Sequence, residues 1–352
     1  MNHELLTINT RRMSQILIIY TGGTIGMMSD PVTKVLRPIN FEQIMDNVPE
    51  LEKLNCKIKV HSFEDIIDSS NMNPAIWSEM AGLIESNYDD VDGFVILHGS
   101  DTMSFTASAL SFMLENLSKP VIFTGSQLPI SAIRTDAKEN LMTAIEIANA
   151  KKNDRARVPE VCIYFDYKLF RANRSFKYNS SKFEAFRSPN YPILAESGVH
   201  LRFSVNDIRH PKEGEGLKVH KNLVSDVAVL KLYPGISPKV CETILNSDVR
   251  GIVMETFGAG NTTTDQWFTD MLKNAIDAGK VILDISQCKV GTVELGRYET
   301  SKQLKDIGVT NGYDMTFESA VTKMMYLLGQ FEDPADVKQY LETDIRGEIT
   351  VS

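Results

Sequence analysis

Between residues 14 and 205, strand candidates recur at 16–20, 57–62, 94–98, 121–124 and 161–165, short runs that are mostly apolar except for KIKVHS at 57–62. Runs of this length, rich in Ile, Val and Phe and bounded by glycine or polar clusters, predict buried strands of a parallel sheet. Helices are predicted between them. At 74–87, Asn73 supplies an N-cap and Pro74 the first helical position. After Thr102, apolar or small residues at Thr106, Ala109, Leu110, Met113, Leu114 and Leu117 predict a helix that buries one stripe. A further helix is predicted at 135–151. Strands alternating with helices imply a mostly parallel sheet covered on both faces.

The stretch from Asn206 reads NDIRHPKEGEGLKVHKN, with proline, glycine and charge but little apolar content. It predicts an interdomain linker over 206–223. From 224 the alternation resumes. Strands are predicted at 227–232, 251–254 and 281–285, and helices near 238–246, 264–278, 316–328 and 334–341. The expected fold class is therefore α/β. A larger N-terminal domain, 14–205, carries a mostly parallel, doubly wound sheet, and a smaller C-terminal α/β domain spans 224–352. Residues 1–12 are polar and read as a loose extension, and no internal repeat is visible.

Bulk properties narrow the function classes. At 352 residues, 43% hydrophobic and 24% charged, the chain has ample length for a large core. A net charge of −9 argues against nucleic acid as partner, and against an anionic membrane surface. No apolar run is long enough to span a membrane, and the N-terminus lacks the apolar core of a secretory signal, so the expected location is cytoplasmic. The four cysteines, Cys56, Cys162, Cys241 and Cys288, are widely spaced. They read as free, buried thiols of a reducing compartment. No CxxC pair, HExxH or other metal-ligand pattern occurs.

The candidate chemistry sits just after three of the predicted strands. Thr21-Gly22-Gly23-Thr24-Ile25-Gly26 follows the first, and His98-Gly99-Ser100-Asp101-Thr102-Met103 follows the third. Open α/β sheets place their ligand sites at such strand ends. Thr24 is a hydroxyl on a glycine turn whose backbone can approach a ligand closely and expose N–H groups. No G-K-[ST] follows, so the turn is not a Walker phosphate loop. A threonine hydroxyl needs a base and an oxyanion site before it attacks. Ser100 and Asp101 supply a hydroxyl and a carboxylate, or simply cap the helix that begins near Thr102. His98 beside them suggests a Ser-His-Asp triad, but no G-x-S-x-G elbow occurs. Asp68-Ser69-Ser70 offers donors and acceptors for a zwitterion, or is an ordinary polar loop. Thr124-Gly125-Ser126-Gln127 reads as a turn. Lys177 closes Arg171-Ala172-Asn173-Arg174-Ser175-Phe176-Lys177. By composition this is a solvated basic face, although a lysine desolvated beside a carboxylate can serve as a base.

Taken in order, TGGTIG, the HGSDTM-to-ENL stretch, TGSQLP and RANRSFK resemble the bacterial asparaginase family, in its cytoplasmic type I branch. The resemblance runs from about Ile16 to the chain end, where Ile345-Arg346-Gly347-Glu348 also matches. It implies that Thr24 is the nucleophile and that Ser100, Asp101 and Lys177 form the second catalytic group. It implies that Asp68, Ser69 and Ser70 hold the α-carboxylate and α-amino groups of the substrate, with Asp101 also facing the amine. Ser126 would lie near the side-chain amide. The implied reaction is hydrolysis of L-asparagine to L-aspartate and ammonia through a threonine acyl-enzyme. No cofactor is used, and each site is completed by a neighbour in a homodimer or homotetramer.

Two departures stand out. The family's second catalytic threonine is here Ser100, which keeps the hydroxyl but loses the methyl that restricts χ1. Many members also carry a tyrosine on the loop after the nucleophile. Here that loop, 27–38, has two prolines, no hairpin signal and no tyrosine, and is expected to act as a lid. Tyr298 is the residue that could reach a neighbour's site instead. Two other functions share these motifs in principle. One is the D subunit of the tRNA-dependent amidotransferase, which carries an extra N-terminal domain. The other is an inert sensor that binds asparagine. The sequence leaves open the preference for asparagine over glutamine.

Overall fold

The computed structural model describes residues 12–30, 33, 36–297 and 299–350. The first sheet contains β1 (Gln15–Tyr20), β2 (Lys57–Ser62), β3 (Gly93–Leu97), β4 (Val121–Thr124), β5 (Val161–Phe165), β6 (Lys168–Arg171), β7 (Ala195–Glu196) and β8 (Arg202–Phe203). Its strand order is β8-β7-β6-β5-β4-β3-β1-β2. From β2 to β5 every pairing is parallel, in the order 2-1-3-4-5. In that doubly wound order the connection reverses direction between β1 and β3, and a crevice opens there at the carboxyl ends of the strands. β6, β7 and β8 extend the sheet antiparallel.

The period of the strands explains the layering. Along β1, Ile16, Ile18 and Tyr20 face one core, whereas Leu17 and Ile19 face the other, all with no exposed surface. The first face is covered by α1 (Phe41–Asp46) and α4 (Ala137–Asn149), the second by α2 (Pro74–Asn87) and α3 (Met103–Met113). Each such buried side chain contributes about 1.5–3 kcal/mol through removal from water. Asn73 caps α2 through Ala75 N at 3.0 Å, with Pro74 in the first turn, as its sequence predicts. β2 is the exposed edge, and its Lys57 and Lys59 discourage pairing with another chain.

The second sheet is entirely parallel, β9 (Val227–Lys231), β10 (Gly251–Thr256), β11 (Val281–Ser286) and β12 (Thr310–Asn311) in that order. One face carries α5 (Pro238–Leu245) and α6 (Gln266–Asp277). The other carries α8 (Phe317–Gln330) and α9 (Pro334–Leu341), while α7 (Glu299–Asp306) precedes β12.

Three expectations need correction. The helix α3 buries almost its whole circumference rather than one stripe. Its second face meets α8: Phe105 sits edge-on to Phe317 at 5.9 Å, and Phe112 stacks on Tyr326 at 6.0 Å. Small hydroxyl residues made that face look polar, but Ser104, Ser108 and Ser111 are buried, and Ser111 Oγ donates to Ser108 O at 2.6 Å. Met27–Ser29 does pair antiparallel with Leu36–Pro38, held at the base by Ile39 N donating to Gly26 O at 2.8 Å. All four cysteines are free, but Cys288 is exposed, because it lies in the loop beyond the carboxyl end of β11.

Candidate active site

The crevice between β1 and β3 is assembled by loops that touch through bare backbone. Gly22 and Gly23 take φ of 140° and 92°, and a 3₁₀ turn, Thr24–Gly26, follows. A Cβ on Gly23 would lie 2.6 Å from Gly99 N, and one on Gly22 would lie 2.4 Å from Ile67 O. A Cβ on Gly99 would lie 2.6 Å from Ser69 Oγ. Thr21 N and Thr21 Oγ1 both donate to Leu97 O, at 3.0 and 2.9 Å, and Ile67 N donates to Thr21 O at 2.8 Å. Thus the loops after β1, β2 and β3 pack at distances only glycine permits. Gly23→Ala is expected to destabilise the fold by at least about 2 kcal/mol, the sum of φ strain and this backbone clash. Urea unfolding checks it: an unchanged midpoint would show that the loops can part at little cost.

Thr24 is half-buried, and its hydroxyl makes no hydrogen bond to a described residue. Tyr20, just before the motif, is fully buried. Its hydroxyl lies within hydrogen-bond distance of Gly26 O (3.1 Å) and Ile39 O (3.2 Å), and burial pushes its pKa up to about 12. It therefore braces the turn rather than meeting a ligand.

Lys177 lies in a two-residue strand, Phe176–Lys177, paired with Phe186–Arg187. Its Nζ donates to Ser100 Oγ at 2.9 Å and to Asp101 Oδ1 at 2.5 Å. The lysine side chain is 16% exposed and the aspartate 67%. Neither Ser100 nor Asp101 caps α3. The N-cap is Thr102, which makes no side-chain cap bond and instead donates through Oγ1 to Ser69 O at 2.6 Å. The basic segment is also not a solvated face. Arg171 and Arg174 are 2% and 1% exposed, paired with Glu160 and Asp314. The sequence alone hides this, because both carboxylates lie outside the motif.

The remaining positions divide. Asp68 is exposed and caps its own turn by accepting from Ser70 N at 2.9 Å. Ser69 is buried against Gly99, and Ser70 is exposed. Ser126 is buried and donates to Leu128 O at 2.6 Å, so its proton is committed and only its lone pairs remain available. Its loop abuts the β3 loop, since a Cβ on Gly125 would lie 2.5 Å from His98 O. Tyr298 lies outside the described residues.

His98 belongs to no triad. It is fully buried, with Nδ1 2.6 Å from Gly99 O and Nε2 3.0 Å from Thr106 Oγ1. Trp77 Nε1 donates to Thr106 Oγ1 at 3.1 Å, so the Thr106 hydroxyl points its proton at His98 Nε2. Nδ1–H then donates to Gly99 O, and the ring is neutral. Burial lowers its pKa to about 4. In the second domain, burial raises Asp284 to about 7, with Thr256 Oγ1 donating to its Oδ1 at 2.7 Å. The two act in opposite senses. The depressed His98 gives stability that is present above about 6.5, its ordinary value, and lost as pH falls toward 4. The raised Asp284 gives stability that is present below its ordinary 3.8 and lost as pH rises through about 7. Over the shared window the slopes, each up to about 1.4 kcal/mol per pH unit, offset one another. Asp284→Asn keeps the Thr256 bond and removes one slope. Its stability is expected to rise more steeply than the parent's between pH 4.5 and 6.5, measured by denaturant melts; parallel curves would refute the raised Asp284.

Fold and site together define a two-domain α/β protein with a hydroxyl–carboxylate–lysine cluster at a sheet crevice. Residues 15–209 match the family model described as Asparaginase, N-terminal. Residues 226–341 match the Glutaminase/Asparaginase C-terminal domain. The chain is 40% identical over 339 residues to L-asparaginase 1 of Escherichia coli K12, covering 95% of this chain and 98% of that protein. It is 37% identical to the 60 kDa lysophospholipase of mouse, covering 96% of this chain and 63% of that longer protein. The crystal structure of L-asparaginase I from Vibrio cholerae superposes with a TM-score of 0.87 at 39% identity, covering 96% and 99% of the two chains. The chain belongs to the asparaginase family.

Proposed function

We propose that this protein hydrolyses L-asparagine to L-aspartate and ammonia through an ester formed on Thr24. The observation that carries the reading is the cluster of Lys177 Nζ on Ser100 Oγ and Asp101 Oδ1, beside a glycine turn whose threonine hydroxyl is uncommitted. Thr24 Oγ1 attacks the side-chain amide carbon. The proton it loses travels by way of Ser100 and Lys177 to the amide nitrogen, which leaves as ammonia. Water then attacks the ester, gives its proton back to Thr24 and releases aspartate. A positioned relay of this kind typically contributes about 10²–10⁴ in rate. Backbone N–H groups of the glycine turn face the developing oxyanion.

Asp68, Ser69, Ser70 and the outward oxygen of Asp101 form the polar rim that receives the α-amino and α-carboxylate groups. Ser126 offers lone pairs to the amide N–H. Tyr298 of a neighbouring subunit completes the site in a homodimer or homotetramer, which sedimentation tests against the 39.4 kDa of one chain. The four free thiols fit work in the reducing cytoplasm. Among the described residues no helix is long and apolar enough to cross a membrane. Purified protein mixed with free asparagine should release ammonia. A folded protein that binds asparagine without releasing ammonia would be a sensor instead. One that needs charged tRNA would be an amidotransferase subunit.

A further inference from the structure

The two halves of the Ser100–Asp101–Lys177 cluster ride on segments that the second domain grips. Ser100 and Asp101 precede α3, whose outer face packs on α8. Lys177 follows a 3₁₀ turn, Ala172–Arg174, that lies against α3. Asn173 Nδ2 donates to Ser111 Oγ of α3 at 3.1 Å, and Ser175 Oγ closes the turn on Ala172 O at 2.9 Å.

Arg174, three residues before Lys177, is the junction. Its guanidinium binds Asp314 through both oxygens, at 2.8 and 2.7 Å. It also donates to Glu348 O at 2.7 Å, Asn190 O at 2.9 Å and Thr350 Oγ1 at 2.9 Å. Thr350 N in turn donates to Asp314 Oδ1 at 2.8 Å. Alternate residues of the chain's last described segment thus face this turn: Arg346 O takes Asn173, and Glu348 O and Thr350 take Arg174.

The segment's own shape is fixed by Glu348. Its carboxylate accepts from Ile345 N at 3.1 Å and Arg346 N at 2.7 Å, and pairs with Lys323 of α8 at 2.5 Å, both side chains fully buried. This gives the Ile345-Arg346-Gly347-Glu348 motif a purpose that the site itself does not absorb. The two terminal nitrogens of Arg174 make all of its contacts, whereas Nε is buried without a partner; a planar fork of fixed geometry sets the direction of the backbone it leaves from.

We propose that Arg174 is a positioning residue for Lys177, held in register by Asp314 and the segment 346–350, so that the second domain sets the alignment of the proton relay. This rests on the reading that Lys177 moves the proton. Arg174→Lys keeps a charge beside Asp314, but one ammonium cannot span the four partners. Its kcat for asparagine, per folded molecule, should fall about 10²-fold, the cost of misplacing a catalytic group by an ångström, while KM changes little. Thr350→Val removes one contact at an exposed residue, and should lower kcat in the same direction by less. If Arg174→Lys does not fold, Thr350→Val decides.

Lys177→Met is measured beside them. Full turnover in Lys177→Met overturns the relay, and the positioning role with it. An inactive Lys177→Met beside unchanged kcat in Arg174→Lys or Thr350→Val overturns the positioning role alone, as does a loss of rate that merely follows the loss of folded protein.

Discussion

Thr24→Ala is expected to fold normally and to lose at least about 10³ in turnover, the scale of removing a nucleophile. The first half follows from what Thr24 does not do. It is half-buried and its hydroxyl holds nothing among the described residues, so alanine leaves no buried polar group unpaired. The turn is fixed instead by its neighbours, with Gly26 N on Gly23 O at 3.1 Å and Tyr20 bracing Gly26 from below. The second half follows from the proposed ester, which forms on the oxygen that alanine lacks. Ammonia release measures the rate, and circular dichroism the fold. Turnover near the parent's in a folded variant would remove Thr24 from the role.

Ser100→Ala should lose about 10²-fold or more, because the oxygen that Lys177 Nζ contacts at 2.9 Å disappears. Ser100→Thr should hold or modestly raise the rate. Threonine restores the methyl that narrows χ1, a gain on the order of tenths of a kcal/mol to 1 kcal/mol in ordering. Ser100 is half-buried, so an added methyl need not be packed on every side. Activity in Ser100→Ala equal to the parent's would break the relay at this point.

What the sequence disclosed was whatever is local. The strands β1, β3, β4 and β5 announce themselves because an interior parallel strand is apolar on both faces, and α2 because Asn73 and Pro74 punctuate its start. The antiparallel extension was illegible for an equally local reason. The turn from β5 to β6 places Asp166 and Tyr167 at φ of 48° and 64°, a two-residue turn usually built with Asn-Gly or Asp-Gly. Tyr167 carries no such signal. The helix α3 misled because serines buried against the Ala172–Arg174 turn resemble serines facing water. In the site, Thr24, Ser100 and Asp101 were visible as residues after strand ends. The burial of Arg171 and Arg174 was not, since neither partner lies within the run: Glu160 stands 11 positions before Arg171 and Asp314 140 positions beyond Arg174. A charge run reads as solvated until its counter-charges are located, and no pattern within the run reveals them.

The same distance has a consequence during synthesis. Arg174 and Glu348 are 174 residues apart. A ribosome adding about 5–20 residues per second separates their emergence by about 9–35 s. Throughout that interval the nascent first domain holds strands enough to begin its sheet, yet Arg174 lacks Asp314, Glu348 and Thr350. Its guanidinium cannot be buried unpaired, so the turn before Lys177 must stay solvated until the second domain arrives. If Arg174 positions Lys177 as proposed, a partial chain exposes the threonine turn before the relay is aligned, and full turnover awaits the partners that the second domain supplies.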